Sequence, residues 1–309
     1  MNNIICIAGP TASGKTALAV ELAKELGGEV ISCDSMQLYR RMDIGTAKPT
    51  ADEMQGIPHH MIDVAEPDED FSVSRYCAMA APILDDLVRR GKTAIIAGGT
   101  GLYMDSLIRG NDFAPVPATG VRERLEAQAD EMGIDYMKEW LARIDPAAAS
   151  RSHDRKRILR ALEVYLETGE TITEHNRRTR SIPPRYTPLW LGLDFDPRSV
   201  LYARIDRRVG LMLEQGLVEE IRALLASGIP GKCTAMQAIG YKEFVAALEG
   251  RCTIEEAADQ VRKASRHYAK RQLTWFRRNP QMHWLTRRGD EGSDEIIAGA
   301  RQIICNFDN

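Results

Sequence analysis

The apolar positions of the chain alternate between two kinds of run. Short, mainly apolar stretches, Ile4–Ala8 and Thr93–Ala97, have the length and content of strands buried on both faces, and Glu29–Cys33 reads as a second short strand. Between them lie segments with apolar residues at three- and four-residue spacing. Thr16–Leu26 carries Leu18, Leu22, Ala23 and Leu26 on one face and stops at Gly27-Gly28, and Ser72–Arg90 is closed by Gly91. Met61–Val64 reads as a further short strand. Strands alternating with helices predict a parallel sheet with right-handed crossovers, whose ligands sit at the carboxyl ends of the strands. Around Phe113–Pro117 this pattern gives way. From Thr119 to about Gly169 every segment has helical spacing, and Arg177–Pro184 is basic and turn-rich. Thr187–Leu193 restores a strand, and helices are expected over 198–215, 218–226, 241–248 and 254–277. The expectation is an α/β core of residues 1–114 and 184–309, interrupted by an all-helical insertion over 115–183.

Three sequence motifs fall at strand ends. Gly9, Pro10, Thr11, Ala12, Ser13, Gly14, Lys15 and Thr16 fit G-x-x-x-x-G-K-[ST] at every fixed position, between a buried strand and a helix start. That arrangement turns backbone N–H groups and a helix N-terminus towards an anion; Lys15 adds a cation, and the Thr16 hydroxyl is placed to hold a Mg²⁺ on the same phosphates. Asp34 follows the second strand. Its carboxylate is open to three roles: organising Mg²⁺, accepting a proton, or capping a turn. Gly98-Gly-Thr-Gly101 follows the strand at 93–97, where a tight turn either serves only the chain path or sets Thr100 beside a ligand.

Composition narrows the class. The 309 residues are 44% hydrophobic and 28% charged, with a formal net charge of −3, so any contact with a polyanion needs local basic surface. Such surface is present. No acidic residue occurs between Val261 and Arg278, while Arg262, Lys263, Arg266, Lys270, Arg271 and Arg277 lie on that helix. Two more clusters are Arg151, Arg155, Lys156, Arg157 and Arg160, and Arg177, Arg178, Arg180 and Arg185. Three clusters exceed what a mononucleotide requires. The six cysteines are widely spaced and form no C-x-x-C pair, which argues against zinc and a disulfide framework. No run approaches transmembrane length, and Met1–Ala8 is too short for a signal peptide, so a cytoplasmic location and no membrane partner are expected.

The motifs in order, Gly9–Thr16, Asp34-Ser-Met-Gln-Leu-Tyr39, Met42-Asp-Ile-Gly-Thr-Ala-Lys-Pro49, Pro58-His-His60, Gly98-Gly-Thr-Gly-Leu-Tyr103, Ile239-Gly-Tyr241 and Lys270-Arg-Gln-Leu-Thr-Trp275, resemble those of bacterial tRNA dimethylallyltransferases. The likeness spans nearly the whole chain. It implies a P-loop NTPase-like α/β fold and transfer of a dimethylallyl group from its diphosphate to N6 of adenosine 37 in tRNA, with Mg²⁺ as cofactor and a monomeric enzyme. It implies that the loop holds a leaving diphosphate, that Asp34 takes the proton of the amine, and that Thr100 lines a channel into which the base is flipped. It further implies tRNA contacts at Asp34, Ser35, Met36 and Gln37, at Thr100, at Arg122, at Lys156, Arg157, Ile158, Leu159 and Arg160, and at Gln237, Ala238, Ile239, Gly240, Tyr241 and Lys242. Gln237-Ala-Ile239 departs from the Arg-Cys-Val of some members. Arg208 resembles an arginine that reaches the diphosphate, with Arg204 and Arg207 as rivals. On the residues alone, a small-molecule kinase with a helical lid, a prenyltransferase acting on free adenine nucleotides and a nucleotide-ordered binding module remain alternatives; diphosphate release that depends on tRNA separates them.

Overall fold

The computed structural model describes residues 3–110, 119–289 and 294–307. In chain order its elements are β1 (Ile4–Ala8), α1 (Lys15–Leu26), β2 (Glu29–Ser32), α2 (Ala51–Met54), β3 (His59–His60), α3 (Val73–Arg89), β4 (Ala94–Gly98), α4 (Gly101–Arg109), α5 (Val121–Met132), α6 (Ile134–Ile144), α7 (Pro146–Arg151), α8 (Arg155–Thr168), α9 (Ile172–Ser181), β5 (Leu189–Phe195), α10 (Arg198–Glu214), α11 (Leu217–Ala226), α12 (Lys242–Leu248), α13 (Ile254–Phe276), β6 (Met282–Arg287) and α14 (Asp294–Phe307). Two compact units result: residues 1–110 with 185–309, and residues 111–184.

The first unit is built on six parallel strands in the order β3-β2-β4-β1-β5-β6. Every residue of β1 is buried, as its unbroken apolar run requires of a central strand. Its register with β4 runs from Ile4 opposite Ala94 to Ala8 opposite Gly98. One core cluster joins Ile5, Ile7, Leu191 and Leu193 of the sheet to Leu18 and Leu22 of α1 and Ile296 and Ile297 of α14. Since β2, β4 and β1 are adjacent, the three segments that follow them, Asp34–Gln37, Gly99–Thr100 and the phosphate loop, emerge side by side at the carboxyl end of the sheet. The topology thus explains why motifs 25 to 90 residues apart meet.

Two sequence expectations are corrected here. Met61–Val64 is not a strand: Met61 and Asp63 adopt φ of 62° and 55°, and the third strand is the two-residue β3 just before it. The basic stretch expected to be turn-rich from Arg177 instead continues α9, which starts at Ile172 behind a capping box of Thr171 and Glu174 and runs to Ser181. Phe113–Pro117 lies outside the described residues.

The second unit consists of α5 to α9 around its own core of Val121, Leu125, Met137, Leu141, Ile158, Leu159 and Leu162. Asp145 anchors it from within. Its carboxylate caps α7 through Ala148 N–H and accepts the Thr173 N–H and hydroxyl at 2.8 to 3.0 Å, bonds that hold its pKa below the usual carboxylate range against the opposing effect of burial. Among the described residues no helix is long and apolar enough to cross a membrane.

Candidate active site

A cavity of about 1350 Å³ lies in the first unit, at the carboxyl ends of the strands. The phosphate loop from Thr11 to Thr16, the Asp34–Gln37 segment, the 43–50 loop, one face of α10, residues 237–240 and 242, and α13 all line it. It exceeds the roughly 300–1,000 Å³ usual for one small ligand.

At the loop end, Lys15 Nζ donates to the carbonyls of Gly9 and Pro10 at 3.0 and 2.7 Å. Burial lowers its pKa to about 8, offset in part by the negative charge of Asp34 and reinforced by Arg208. Two arginines of α10 reach the same loop. Arg204 Nε donates to Ala12 O at 3.0 Å, and Arg208 Nη1 to Thr11 Oγ1 at 3.3 Å. Arg207 is exposed and lines the cavity. Burial pushes the Arg208 pKa down, while Asp34 opposes it, so the two groups feel each other's charge. The hydroxyl of Ser13, 1% exposed, has no hydrogen-bond partner among the described residues.

The other side of the cavity is made by Asp34–Gln37 after β2 and by Ala97 and Gly98 at the end of β4; Thr100, expected to line a channel, is not among the lining residues and sits behind Ser35 instead. Asp34 Oδ1 accepts the Met36 N–H at 2.9 Å, so the turn-capping role expected as one option is real and occupies one oxygen. Thr100 Oγ1 accepts the Ser35 N–H at 3.1 Å and donates to Ser35 Oγ at 3.3 Å. Gln37 is committed elsewhere: it accepts from Ser32 Oγ and donates to Ala47 O at 3.1 Å, which fixes the 43–50 loop. That loop is held again by Glu220 of α11, whose carboxylate accepts the N–H groups of Asp43, Ile44 and Gly45 and the Tyr241 hydroxyl at 2.6 Å.

Other expected contact residues divide by accessibility. Gln237 and Lys242 are exposed, Ala238 and Ile239 half-buried, and Gly240 buried, and all line the cavity. Tyr241 is fully buried behind Gly45, and burial with the Glu220 charge pushes its pKa far up; its side chain acts inside the protein rather than on a ligand. In the helical unit, Ile158 and Leu159 are core residues, which removes their side chains from any surface contact. Lys156, Arg157 and Arg160 around them are exposed. Several cations of these clusters have acidic partners: Arg122 with Glu126 and Glu163, Arg155 with Glu126 and Asp130, Arg157 with Asp154, and Arg160 with Glu163.

Two site residues were not picked out in sequence: Tyr268 and Gln272 of α13. The Tyr268 phenol faces Thr100 and Gln272; its pKa is raised to about 12, chiefly by burial and then by the charge of Asp34. The one signal was a pair of polar side chains four apart in an otherwise apolar helix stripe.

A parallel sheet with a G-x-x-x-x-G-K-T loop after its central strand, cationic side chains on that loop and a carboxylate opposite defines a P-loop-type α/β protein. The family model described as IPP transferase matches residues 37–279, and the chain belongs to that family. It is 43% identical over 310 residues to the tRNA dimethylallyltransferase of Acetivibrio thermocellus, covering 99% of both chains, and 47% identical over 286 residues to that of Thermoanaerobacter sp., covering 91% of both. Among solved structures, the full-length tRNA isopentenylpyrophosphate transferase of Bacillus halodurans matches with a TM-score of 0.74 at 42% identity, over 99% of this chain and 96% of that one. A eukaryotic dimethylallyltransferase acting on tRNA matches with a TM-score of 0.83 at 30% identity, over 99% of this chain and 80% of that one.

Proposed function

We propose that this protein transfers the dimethylallyl group of dimethylallyl diphosphate to N6 of adenosine 37 in tRNA and releases diphosphate. The observation that carries the reading is a cavity that joins the phosphate loop to Asp34 and the end of β4 and whose volume exceeds that of one small ligand. Its relatives' names supply tRNA as the acceptor and the dimethylallyl group. The apolar wall of Ile205, Val209, Met212 and Val261 beside the loop suits a short branched hydrocarbon better than a nucleoside triphosphate.

In this reading the C–O bond to diphosphate breaks as the N6–carbon bond forms, and one amine proton leaves. Lys15, Arg208 and the loop N–H groups hold the oxygens on which negative charge grows. The adenine amine is a weak nucleophile, so a carboxylate must take its proton; Asp34 is the cavity carboxylate with one oxygen not engaged in the turn. Thr100 acts through Ser35, which lines the cavity, and so steadies the Asp34 turn beside the base. The residues present also suit a divalent cation held chiefly by its ligand: the Thr16 hydroxyl supplies a hard oxygen donor beside the loop, and no cluster of three or more His, Cys, Asp or Glu that would hold a metal by itself occurs among the described residues. Mg²⁺ bound there would take its remaining oxygens from diphosphate and water and would neutralise leaving-group charge. Exposed Lys156, Arg157 and Arg160, and Gln237 and Lys242, are the proposed tRNA contacts, with Arg122 contributing where its ion pairs open.

The test is direct. The protein is incubated with dimethylallyl diphosphate, Mg²⁺ and an unmodified anticodon stem-loop, and the RNA is weighed. One dimethylallyl group gained per RNA, at adenosine 37, is expected. Prenylated AMP, ADP or ATP with unmodified RNA would overturn the assignment.

A further inference from the structure

The parallel ladder between β1 and β4 ends at the pair Ala8 and Gly98. Beyond that pair, one side chain spans the two segments. Gln272 lies on α13 and is 4% exposed. Its Oε1 accepts the Thr11 N–H at 2.9 Å, and its Nε2 donates to Gly99 O at 3.0 Å. The phosphate loop and the turn that carries Thr100 are therefore tied through one planar amide. Its orientation is fixed, because the flipped amide sets N–H against N–H and oxygen against oxygen. The approach is close enough to dictate a neighbour: a Cβ at Gly99 would lie 2.1 Å from Nε2. One turn earlier on the same helix, the Tyr268 phenol faces both Gln272 and Thr100. From Thr100 the connection continues to Ser35 N–H, next to the Asp34 turn.

We propose that Gln272 is a positioning residue: it sets the distance between the phosphate loop and the Gly98–Thr100 turn, and so aligns the leaving diphosphate with the attacking amine. The inference rests on the transfer reaction proposed above. Its amide is engaged at both ends by backbone, so it acts through Thr11 and Gly99 rather than on the reacting atoms. Displacement requires nucleophile, carbon and leaving oxygen nearly in line. A misplacement of about 1 Å costs on the order of 10²-fold in rate. Each half-site, by contrast, keeps its own binding groups when the bridge is lost.

The experiment uses two variants of the full chain. Gln272→Met fills a similar volume and removes both hydrogen bonds. Its single-turnover rate of prenyl transfer to an anticodon stem-loop should fall about 30- to 100-fold. Its Kd for dimethylallyl diphosphate and its Kd for the stem-loop, measured separately, should each stay within about threefold. Gln272→Glu supplies the second readout. Ionised, it repels Gly99 O; protonated, it carries the same donor and acceptor as glutamine. Tyr268 faces that position, and Lys15, Arg208 and Asp34 line the same cavity. Wild type has all four, so the ratio of variant to wild-type rate cancels their titration. That ratio should rise as the pH falls from 8 to 6. A Gln272→Met rate within threefold of wild type overturns the proposal. So does a loss of substrate affinity equal to the loss of rate, or a pH-independent ratio for Gln272→Glu. Failure of wild type itself to prenylate the stem-loop overturns the parent reading instead.

Discussion

Lys15 makes the phosphate loop sensitive to pH in a range where other groups of the loop are silent. Burial lowers its pKa to about 8, from an ordinary value of 10.5. The sign follows from what each state favours. The ligand-free site disfavours the ammonium, so the proton is lost as the pH rises through 8. A bound diphosphate brings negative charge against Nζ and raises the pKa again, so binding above pH 8 must take up a proton. At pH 7 about nine-tenths of the free protein carries the charge; at pH 9 about one-tenth does. Affinity for dimethylallyl diphosphate should therefore be flat near pH 7 and fall about tenfold by pH 9 or slightly above. The ligand itself does not account for this, since phosphate monoesters complete their second ionisation near pH 6. Calorimetric titration in two buffers of different ionisation enthalpy gives both quantities, and proton uptake should approach one per ligand at pH 9. Lys15→Arg is the control: a guanidinium stays charged, so its affinity, whatever its absolute value, should not change between pH 7 and 9. A flat wild-type curve, or a fall retained in Lys15→Arg, would refute the argument.

Asp34→Asn keeps an oxygen for the Met36 N–H and loses the proton acceptor; kcat should drop by about 10² or more with little change in fold, and an unchanged kcat would return Asp34 to turn capping. Gly45→Ala would set a Cβ 2.4 to 2.7 Å from ring atoms of buried Tyr241, so the ring must move away from Glu220. A loss of about 1–3 kcal/mol in stability is expected from overpacking, read by denaturant titration, and a wild-type midpoint would show that the ring yields freely. Replacing Lys156 and Arg160 together by Ala should weaken tRNA binding and lower its salt slope by about one unit per lost phosphate contact, leaving dimethylallyl diphosphate affinity unchanged. Wild-type salt dependence would mean that the face is only solvated.

What the sequence discloses, and what it hides, follows from how far each signal reaches along the chain. Buried central strands are legible because both faces are apolar; β1 reads unbroken from Ile4 to Ala8. The sheet-edge strand β6 gave no such signal, since His283 and Thr286 face outward and interrupt the run. Met61–Val64 misleads because Met-Ile-Asp-Val has strand composition, while the structure turns there so that Lys48 reaches Asp63 at 2.5 Å. The basic clusters are overestimated by counting, because a partner such as Glu126 for Arg155 lies 29 residues away. The phosphate loop and Asp34 are local patterns, legible without the sheet order.

Gln272 shows what a better reading would have used. On α13 it continues the stripe of Val261, Ser265 and Tyr268, at the spacing of a packing face. Yet a primary amide cannot pack there as a hydrocarbon. Leaving its donor and acceptor unmet in a buried position costs about 1–3 kcal/mol for each group. A glutamine on a buried stripe therefore has to face backbone or polar side chains. In this chain the candidates were already marked, because the glycines at 98, 99 and 101 expose backbone at a strand end. The step from an apolar stripe with one amide in it to a bridge across two loops needed only the sheet order that puts β1 beside β4. That order is the one piece of information the local pattern does not contain.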